Sequence, residues 1–580
     1  MVSFACLSLE RVSGGGPLGE EEEGMSRFDY LMIVIWVVGT SLVGVFFQKY
    51  IKTTKDYLLA GKRLKWWQIG IAQTGDAVDA TDFVAASGNG YRMGLVHIGF
   101  SWYGMGVGFF LLSRYITPLL YRTGVYTNAE FLELRYNASM RVLSTILQTL
   151  YRMVAMALVV YSLATIFNVI IGVPMWPAIA GAMGLTLIYV YTSGQLGVVM
   201  AAVPQVVLMC IAALIVLGYA WHGVGGWASM AARIPNPEKY LHFTGMSAPG
   251  VPGPIYFLGM TLSLLAYPIV NQTVAQRLVA ARTELDARDG AIFGLPGWFL
   301  VTGFSTVVGI MAVLLIPGLQ GTEADRIYPM MMVKYLPSGI LGLVVAALMV
   351  ASTSTGAGIG TAIAGLLTID VYARFIRKDA PDAHYLLMTR IFAAVTIVMG
   401  TLFAYFIPRM GGMIPFYLAF TGTFFLPLAV PYIGGAFFPF LSRWSGVAST
   451  LSGAGLGLIL FLFEKKIPIW MGHTLWRPIW AFLAAWVGLF LCSLIENRIF
   501  GQRSEDAFAR SLNIHALGTL KLGEKEREKL KEMAHQRERT AEFSEVPEPG
   551  IPPGTPWYLH PTFFEAIAIG FLVFFLILWW

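Results

Sequence analysis

Apolar runs separated by short polar loops follow one another along almost the whole chain. About 20 apolar residues are needed to cross the hydrocarbon of a bilayer, and about fourteen runs reach that length. The runs lie near residues 28–47, 67–94, 95–120, 142–170, 174–192, 196–220, 254–276, 291–317, 339–372, 386–408, 411–437, 446–463, 474–497 and 561–580. The pattern predicts an all-α integral membrane protein with about 14 transmembrane helices.

Three carboxylates interrupt the run at 67–94. They are Asp76, Asp79 and Asp82. Each carboxylate at the centre of a membrane helix costs about 2.5–3.5 kcal/mol, so three together require a function. Gly75 and the glycines of Ser87–Gly90 offer the flexibility of a discontinuous helix. We predict a broken helix whose acids line an aqueous path for a cation or a cationic solute; the alternative is an amphipathic loop at the membrane surface.

A second run, at 254–276, is interrupted by Tyr267-Pro268 and by Asn271-Gln272. The two interrupted runs open two blocks of five helices. The blocks cover about 67–220 and about 254–437. Interrupted helices at matching positions of two halves indicate an inverted-repeat secondary transporter with its site at the bilayer midplane.

Two other function classes are compatible with an acidic membrane segment. An intramembrane aspartyl enzyme needs two carboxylates that face each other, normally from separate helices, whereas these three lie on one segment. A transporter-like sensor or scaffold needs a signalling domain, and the chain after residue 498 offers only one short charged helix.

Composition supports a membrane protein, and the distribution of basic residues predicts its orientation in the bilayer. Hydrophobic residues make up 56% of the chain and charged residues 13%, as in a polytopic membrane protein. The three cysteines are too few and too scattered for a disulfide framework or a metal cluster. Basic residues crowd the loop after the first run, which by the positive-inside rule is cytoplasmic and leaves the amino terminus outside. The other basic residues assigned to cytoplasmic loops are Arg122, Arg135, Arg141, Arg277, Arg282, Arg288, Arg374, Arg377 and Lys378.

The chain is expected to be a multi-pass protein of the plasma membrane with four regions. These are a disordered acidic extracellular head at 1–27, a transporter domain at 28–500, a cytoplasmic linker at 501–560 and a final transmembrane helix at 561–580. Met25 is an alternative start. Within the linker, 523–539 carries Glu and Lys pairs three and four residues apart, a spacing typical of a charged helix.

Hydroxyl groups cluster at Ser352–Thr355, inside an apolar stretch at 343–372 that consists otherwise of small residues. Sodium is a hard cation that prefers oxygen ligands such as hydroxyls, carbonyls and carboxylates. Hydroxyls in membrane helices also bond to carbonyls of their own helix or allow close packing. From composition alone, both interpretations stand.

Several segments, in this order and at this spacing, resemble the sodium:solute symporter family. The segments are 56–62 (DYLLAGK), 87–91 (SGNGY), 124–127 (GVYT), Glu130-Phe131, Arg135-Tyr136, Asn271-Gln272, Gln276-Arg277, Tyr328-Pro329, Leu336-Pro337, 351–355 (ASTST) and 369–372 (IDVY). The family includes sodium/galactose, sodium/proline and sodium/sialic acid transporters. The resemblance covers about 28–500 and implies a LeuT-like fold with a 5+5 inverted repeat.

The resemblance also implies one sodium site. The expected ligands are the carbonyls of Gly75, Val78 and Ala351 and the hydroxyls of Ser354 and Thr355. Some relatives hold a second sodium, but the corresponding positions here are Ala201, Ala202, Ala357 and Gly358, which bring no side-chain oxygen. We therefore expect one co-transported sodium per solute, unless the aspartates form a replacement site.

The residues differ from those of the family at most positions where its sugar transporters contact the sugar. A glutamate and two glutamines of the family correspond to Ser101, Asp82 and Leu418, whereas the aromatic gate is kept as Tyr267 and an amide as Asn271. The site does not resemble a hexose site.

The charged residues receive separate predicted roles. Asp79 and Asp82 are expected to face the solute and to favour an amine or another cationic group. Asp76, next to the Gly75 carbonyl, is expected to tune the sodium site or to exchange a proton. Arg152 either pairs with one of the aspartates or extends to the cytoplasmic face.

Together these observations predict a sodium-coupled symporter that imports a small polar organic solute by alternating access. It is not expected to be an enzyme. Its expected partners are the solute and the lipid bilayer, with no nucleic acid.

Overall fold

The computed structural model describes residues 25–48, 53–192, 195–243, 245, 251–501, 509–510, 512–514 and 555–579. The predicted acidic head before residue 25 and the charged helix at 523–539 lie outside these residues. Among the described residues the architecture is helical, and β-pairing is limited to an isolated parallel bridge between Leu64 and Ala281. The prediction of an all-α protein is confirmed.

Twenty-five α-helices are described, numbered in chain order. They are α1 Arg27–Gln48, α2 Thr54–Leu59, α3 Trp66–Ala77, α4 Ala80–Met93, α5 Val96–Leu111, α6 Thr117–Arg122, α7 Asn128–Arg135, α8 Ala138–Ile171, α9 Met175–Thr192, α10 Gln195–Val224, α11 Gly226–Arg233, α12 Pro237–Tyr240, α13 Gly253–Val270, α14 Gln272–Val279, α15 Glu284–Phe293, α16 Leu295–Leu315, α17 Ile327–Tyr335, α18 Ile340–Gly365, α19 Asp382–Phe403, α20 Met413–Phe420, α21 Leu426–Phe437, α22 Ser445–Leu462, α23 Ile469–Gly472, α24 Arg477–Phe500 and α25 Pro561–Trp579.

Ten helical segments among the described residues are long and apolar enough to cross a membrane. They correspond to predicted runs between 95–120 and 474–497, whereas α9 and α25 contribute shorter apolar stretches. The chain is therefore a multi-pass membrane protein. The total of about fourteen crossings stays a prediction.

The first predicted interruption is present, but it lies one turn later than Gly75. Helix α3 ends at Ala77 and α4 begins at Ala80, so Val78 and Asp79 form an extended link between them. Gly75 itself lies inside α3, where a Cβ atom would lie only 3.1 Å from Cβ of Ala202 on α10. Close packing, rather than flexibility, explains this glycine.

The prediction that the glycines of Ser87–Gly90 provide flexibility is wrong. Both lie within α4. A Cβ atom on Gly90 would lie 2.1 Å from the Thr306 carbonyl of α16, and one on Gly88 would lie 2.8 Å from Oδ1 of Asp325. These glycines allow α4 to approach its neighbours closely.

The second interruption lies at Asn271, as predicted. Helix α13 continues through Pro268 to Val270, Asn271 is extended, and α14 begins at Gln272. Helices of the two predicted blocks pack against each other in pairs, α3 on α15, α4 on α16 and α5 on α13. This pairing brings the two interruptions together in the interior.

Several basic residues that the sequence assigned to cytoplasmic loops are buried in ion pairs. Arg122 makes two hydrogen bonds of 2.8 Å to Glu284, and Arg141 contacts Glu133 at 2.8 Å as well as Asp370. Their burial shows that they stabilise contacts between helices. The orientation of the chain in the membrane stays a prediction.

Helix α1 is attached to the start of α18 through Asp29. Its Oδ1 accepts hydrogen bonds from the backbone N–H groups of Gly339 at 2.6 Å and Gly342 at 2.8 Å. A carboxylate at this end of a helix satisfies amides that have no intrahelical partner and complements the helix dipole.

Helix α25 packs on α5 and α15 at another side of the molecule. Its Glu565 is buried and lies 3.5 Å from both Arg114 and Arg288. The Trp102 ring of α5 contacts Phe571 and Phe575, with centroid distances of 5.3 and 5.2 Å. A helix far from the interruptions in sequence therefore supports the helix that carries Ser101.

Candidate functional site

A cavity lies between the two interruptions, and most of the predicted charged and solute-facing residues line it. Those that line it are Asp76, Asp79, Asp82, Ser101, Arg152, Tyr267 and Thr355. Aromatic and apolar side chains complete the wall, among them Phe100, Trp298, Tyr417 and Leu418. A mostly apolar cavity with a few converging polar groups is typical of a small-molecule site.

Two of the aspartates cap α4. The Asp79 carboxylate accepts a hydrogen bond of 2.6 Å from the N–H of Thr81, and Asp82 Oδ2 accepts one of 3.1 Å from the N–H of Asp79. This reciprocal capping box satisfies N–H groups at the start of the helix, where the dipole also favours negative charge. Asp82 Oδ1 accepts a further bond, of 3.2 Å, from the Trp298 indole. The caps explain how two acids are accommodated in the interior.

The capping box also frees the Gly75 carbonyl. In a continuous helix the N–H of Asp79 would donate to that carbonyl, but here it donates to Asp82. The Gly75 oxygen instead accepts from the Thr355 hydroxyl at 3.2 Å and from the Gln205 side-chain amide at 3.4 Å. Two oxygens of the predicted sodium site, from Gly75 and Thr355, are thus neighbours across two helices.

The other predicted sodium ligands lie in the same region. Val78 is extended, with φ −114° and ψ 115°, so its carbonyl is outside the regular helix. Ala351 and Ser354 are buried on α18, the helix of Thr355. Their role as ligands, like that of Val78, stays a prediction.

The remaining hydroxyls of the cluster, those of Ser352 and Thr353, make hydrogen bonds within or between helices. Ser352 accepts a hydrogen bond of 3.2 Å from the N–H of Ala80 and so fixes α18 against the interruption. Thr353 bonds to the carbonyls of Met349 and Val350 in its own helix, at 3.0 Å each. Only part of the hydroxyl cluster is therefore available to a cation.

Asp76 faces arginines. Its Oδ2 lies 3.2 Å from Nη1 of Arg277 and 3.8 Å from Nη2 of Arg152. Arg152 is 2% exposed and also donates to Asn271 Oδ1 and Thr273 Oγ1. Of the two predicted alternatives for Arg152, the structure shows pairing with an aspartate.

Sequence reasoning missed Arg277, which it counted among the cytoplasmic loop residues. Arg277 lies on α14 and is 1% exposed, so this assignment is wrong. Its place just after the predicted interruption at Asn271 was a usable signal, because membrane-embedded charges usually pair with one another.

Asn271 does not line this cavity, and its expected contact with the solute stays a prediction. Its Oδ1 instead accepts a hydrogen bond of 2.9 Å from the N–H of Thr273 and caps α14. Together with the Arg152 contact, this makes Asn271 an anchor behind the cavity wall.

His97 is a cavity residue that the sequence did not single out. Its Nδ1 lies 3.1 Å from the Asn89 side-chain nitrogen, and the Asn89 oxygen accepts from Arg92 at 3.1 Å. Because Arg92 fixes the orientation of the amide, the His97 Nδ1 must accept, and a neutral ring carries its proton on Nε2. His97 therefore provides an N–H donor one helical turn before Ser101, a spacing that could have identified it.

Comparison with known proteins places the chain among transporters. A family described as "Sodium:solute symporter family" matches residues 57–437. The chain is 26% identical over 483 residues to a sodium/glucose cotransporter of Vibrio parahaemolyticus, a match that covers 78% of this chain and 87% of the relative. It is 23% identical to sodium/myo-inositol cotransporter 2 of Bos taurus, with coverage of 75% and 70%.

The fold has a solved counterpart. A structure described as the substrate-bound outward-open state of a Na+-coupled sialic acid symporter superposes with a TM-score of 0.68 at 17% identity. The match covers 81% of this chain and 98% of that chain. The architecture is thus the LeuT-like inverted repeat: the two interruptions predicted the repeat, and the family resemblance implied the LeuT-like fold.

Proposed function

We propose that this chain, which belongs to the sodium:solute symporter family and is therefore a sodium-coupled symporter, imports a small polar organic solute. The proposed solute bears an amine and is moved by alternating access. One observation carries the proposal. The interruption at Val78–Asp79 leaves the Gly75 carbonyl to accept from the Thr355 hydroxyl. Thr355 lines the same cavity as the carboxylates of Asp79 and Asp82, so the predicted sodium oxygens adjoin the solute cavity.

The link couples the two sites physically. Asp82 withdraws the N–H of Asp79 from the Gly75 carbonyl, and the same carboxylate lines the solute cavity. A solute that engages Asp82 therefore acts on the group that keeps the Gly75 carbonyl free for sodium. Differential binding of this kind is what allows one ligand to bias a conformational equilibrium for another.

The charges of the cavity support the amine. Asp76 is paired with arginines, whereas Asp79 and Asp82 have no ion-pair partner among the described residues. A cationic group on the solute would complete this pairing, while His97 offers a donor to an oxygen elsewhere on the solute. Glucose and myo-inositol, for which the relatives are named, are neutral polyhydroxy compounds. Ser101, Asp82 and Leu418 line this cavity, and the resemblance implies that they stand where sugar-transporting relatives carry a glutamate and two glutamines.

A thermal-shift screen of the purified chain tests the solute class. The probes are butylamine, 4-aminobutyrate, choline, D-glucose, myo-inositol and sialic acid, each in sodium chloride and in potassium chloride. A ligand that binds only the folded protein raises its stability by RT ln(1 + [L]/Kd), so we expect stabilisation by amine compounds in sodium alone. Stabilisation restricted to the sugars, or to an anion without an amine, would contradict the amine.

The Asp82→Asn variant sharpens this test. We expect it to lose stabilisation by the amine probes, by roughly tenfold or more in Kd, while stabilisation by sodium persists. Asp76→Asn should weaken stabilisation by sodium and keep that by the amine probes, because it leaves the Arg277 guanidinium without its carboxylate next to Gly75. The control is Asp379→Asn, at an exposed aspartate, which should bind both ligands normally. Sodium-driven uptake of the stabilising probe into proteoliposomes then establishes transport.

A further inference from the structure

Arg277 and Asp76 form an ion pair that connects the two interruptions. Asp76 lies in the last turn of α3, before the first interruption, and Arg277 lies on α14, after the second. The two side chains are each 1% exposed, and their charged atoms are 3.2 Å apart. Neither Asp76 oxygen has a hydrogen-bond partner among the described residues, so its charge is balanced by the arginines.

Of the two arginines, Arg277 is the one dedicated to Asp76. Arg152 is farther away, at 3.8 Å, and its Nη2 is bound to Asn271 and Thr273. The Arg277 Nη1 has no hydrogen-bond partner among the described residues, which leaves Asp76 as its ionic contact.

The pair occupies space beside the sodium ligands. A Cβ atom on Gly358 of α18 would lie 2.4 Å from Asp76 Oδ1 and 3.2 Å from Arg277 Nη2. Gly358 follows Thr355 by three residues, so the pair contacts α18 about 5 Å, or one helical turn, from the Thr355 hydroxyl. Asp76 also directly follows Gly75, whose carbonyl is bonded to Thr355.

We propose that Arg277 is a resident cation, meaning a positive side chain that occupies the place beside Asp76 where a second sodium would otherwise bind. The buried carboxylate requires a positive partner, since an unpaired charge in the interior is strongly unfavourable. Arg277 provides that partner permanently, and the region therefore binds a single coupled sodium. The inference rests on the proposed function, because it assumes that the Gly75 and Thr355 oxygens bind the first sodium.

The consequence is that removal of Arg277 converts Asp76 into a sodium ligand. The carboxylate oxygens, with no other hydrogen-bond partners among the described residues, then face a space vacated by a guanidinium. Sodium prefers oxygen ligands and supplies the missing positive charge. Arg277→Gln should therefore bind one more sodium ion than the wild type.

Equilibrium binding of radioactive sodium to the purified full chain, with no solute, tests this proposal. The variants are Arg277→Gln and the double variant Asp76→Asn/Arg277→Gln. The control is Arg122→Gln, which removes another buried arginine from its pair with Glu284, away from the cavity. We expect about one sodium per chain in the wild type, in the control and in the double variant, and about two in Arg277→Gln.

Each outcome decides between the alternatives. A folded Arg277→Gln variant that binds the same number of sodium ions as the wild type overturns the proposal. If Arg277→Gln folds in sodium chloride but not in potassium chloride, sodium has replaced the arginine, as proposed. If it fails to fold in both salts while the double variant folds, sodium cannot take this place and the proposal is wrong. It is equally wrong if the double variant fails to fold, because the pair then does more than balance charge.

The same measurement separates this inference from the proposed function. A wild type that binds no sodium contradicts the sodium site at Gly75 and Thr355. A gain of one ion in Arg277→Gln over such a wild type would still support the resident cation.

Discussion

The two interrupted helices share one capping hydrogen bond but carry opposite charges. At the first, the Asp79 side chain accepts from the N–H two residues ahead, at 2.6 Å; at the second, Asn271 does the same at 2.9 Å. The first interruption adds Asp76 and Asp82, whereas the second adds Arg277 and holds Arg152 through its cap. In both halves of the repeat a side-chain cap starts the helix after the interruption. The acids lie at the first interruption and the arginines are held at the second.

This difference assigns a separate task to each interruption. In the proposed function, acids at the first provide oxygens for a cation and for a cationic solute; Asp79 and Asp82 accept hydrogen bonds from N–H groups at the start of α4. Bases at the second hold the nearest of these acids, Asp76, across the interior. An attraction between the halves at this point links the movement of one interruption to the other, as a rocking transporter requires.

The largest expected effect comes from separating the two interruptions where they meet. Gly358→Ala places a Cβ atom 2.4 Å from Asp76 Oδ1, so the carboxylate must leave its position beside Arg277. We expect sodium-driven uptake in proteoliposomes to fall at least about tenfold, the equivalent of about 1.4 kcal/mol.

The matched control for Gly358→Ala is Gly360→Ala on the same helix. There the nearest atom, Cγ1 of Val190, is 3.4 Å from the added Cβ, so little has to move. Equal uptake by the two variants would show that the contact between the interruptions is not needed.

A smaller effect is expected at the sodium oxygens of the first interruption. Thr355→Ala removes the hydroxyl that reaches the Gly75 carbonyl, and Ser354→Ala removes its predicted neighbour. We expect each to raise the half-saturating sodium concentration of uptake by roughly tenfold, with nearly normal folded yield.

Thr353→Ala is the control on α18, because its hydroxyl bonds only to carbonyls of its own helix. Its sodium dependence should match the wild type. Unchanged half-saturation in both Thr355→Ala and Ser354→Ala would remove the assigned site.

The smallest effect is expected when the two caps are exchanged. Asn and Asp are nearly equivalent at the N-cap, so Asp79→Asn and Asn271→Asp should each change the free energy of unfolding by less than about 0.5 kcal/mol. Their effects on ligands should differ, because Asp79→Asn removes a carboxylate from the cavity and Asn271→Asp adds one behind its wall.

Thermal melts and binding of the amine probes measure both quantities. Asn137→Asp, at the start of α8, controls for the same exchange at a cap outside the cavity. If Asp79→Asn lowered the melting temperature far more than Asn137→Asp, the charge of the first cap would be essential to the fold.

The sequence predicted the interruptions well because each requires a visible violation of a membrane helix. Three acids and an Asn-Gln pair inside apolar runs are costly in a membrane, and a broken helix explains both. The break at Val78–Asp79 lies within the predicted interval from Gly75 to Asp82, and it is set by the capping residues Asp79 and Asp82 rather than by Gly75. Close packing accounts for Gly75, and the sequence alone does not show which neighbouring helix packs against a glycine.

The partners of the charges could not be predicted in the same way. Counting basic residues by loop placed Arg277 at the cytoplasmic face, although it folds inward to Asp76. His97 acquires its donor role through hydrogen bonds that involve Asn89 and Arg92. A sequence pattern does not predict such a network. Pairings of this kind depend on how helices distant in sequence pack together.

The position of Glu565 sets an order for assembly on the ribosome. Helix α25 is translated after every helix that it contacts, so α5 and α15 enter the membrane before their shared partner exists. Until α25 follows, Arg114 and Arg288 lack the Glu565 carboxylate, and Trp102 lacks its contacts with Phe571 and Phe575. Helix α5, which carries Ser101, thus reaches its final environment only after α25, more than 400 residues later in the chain, has inserted.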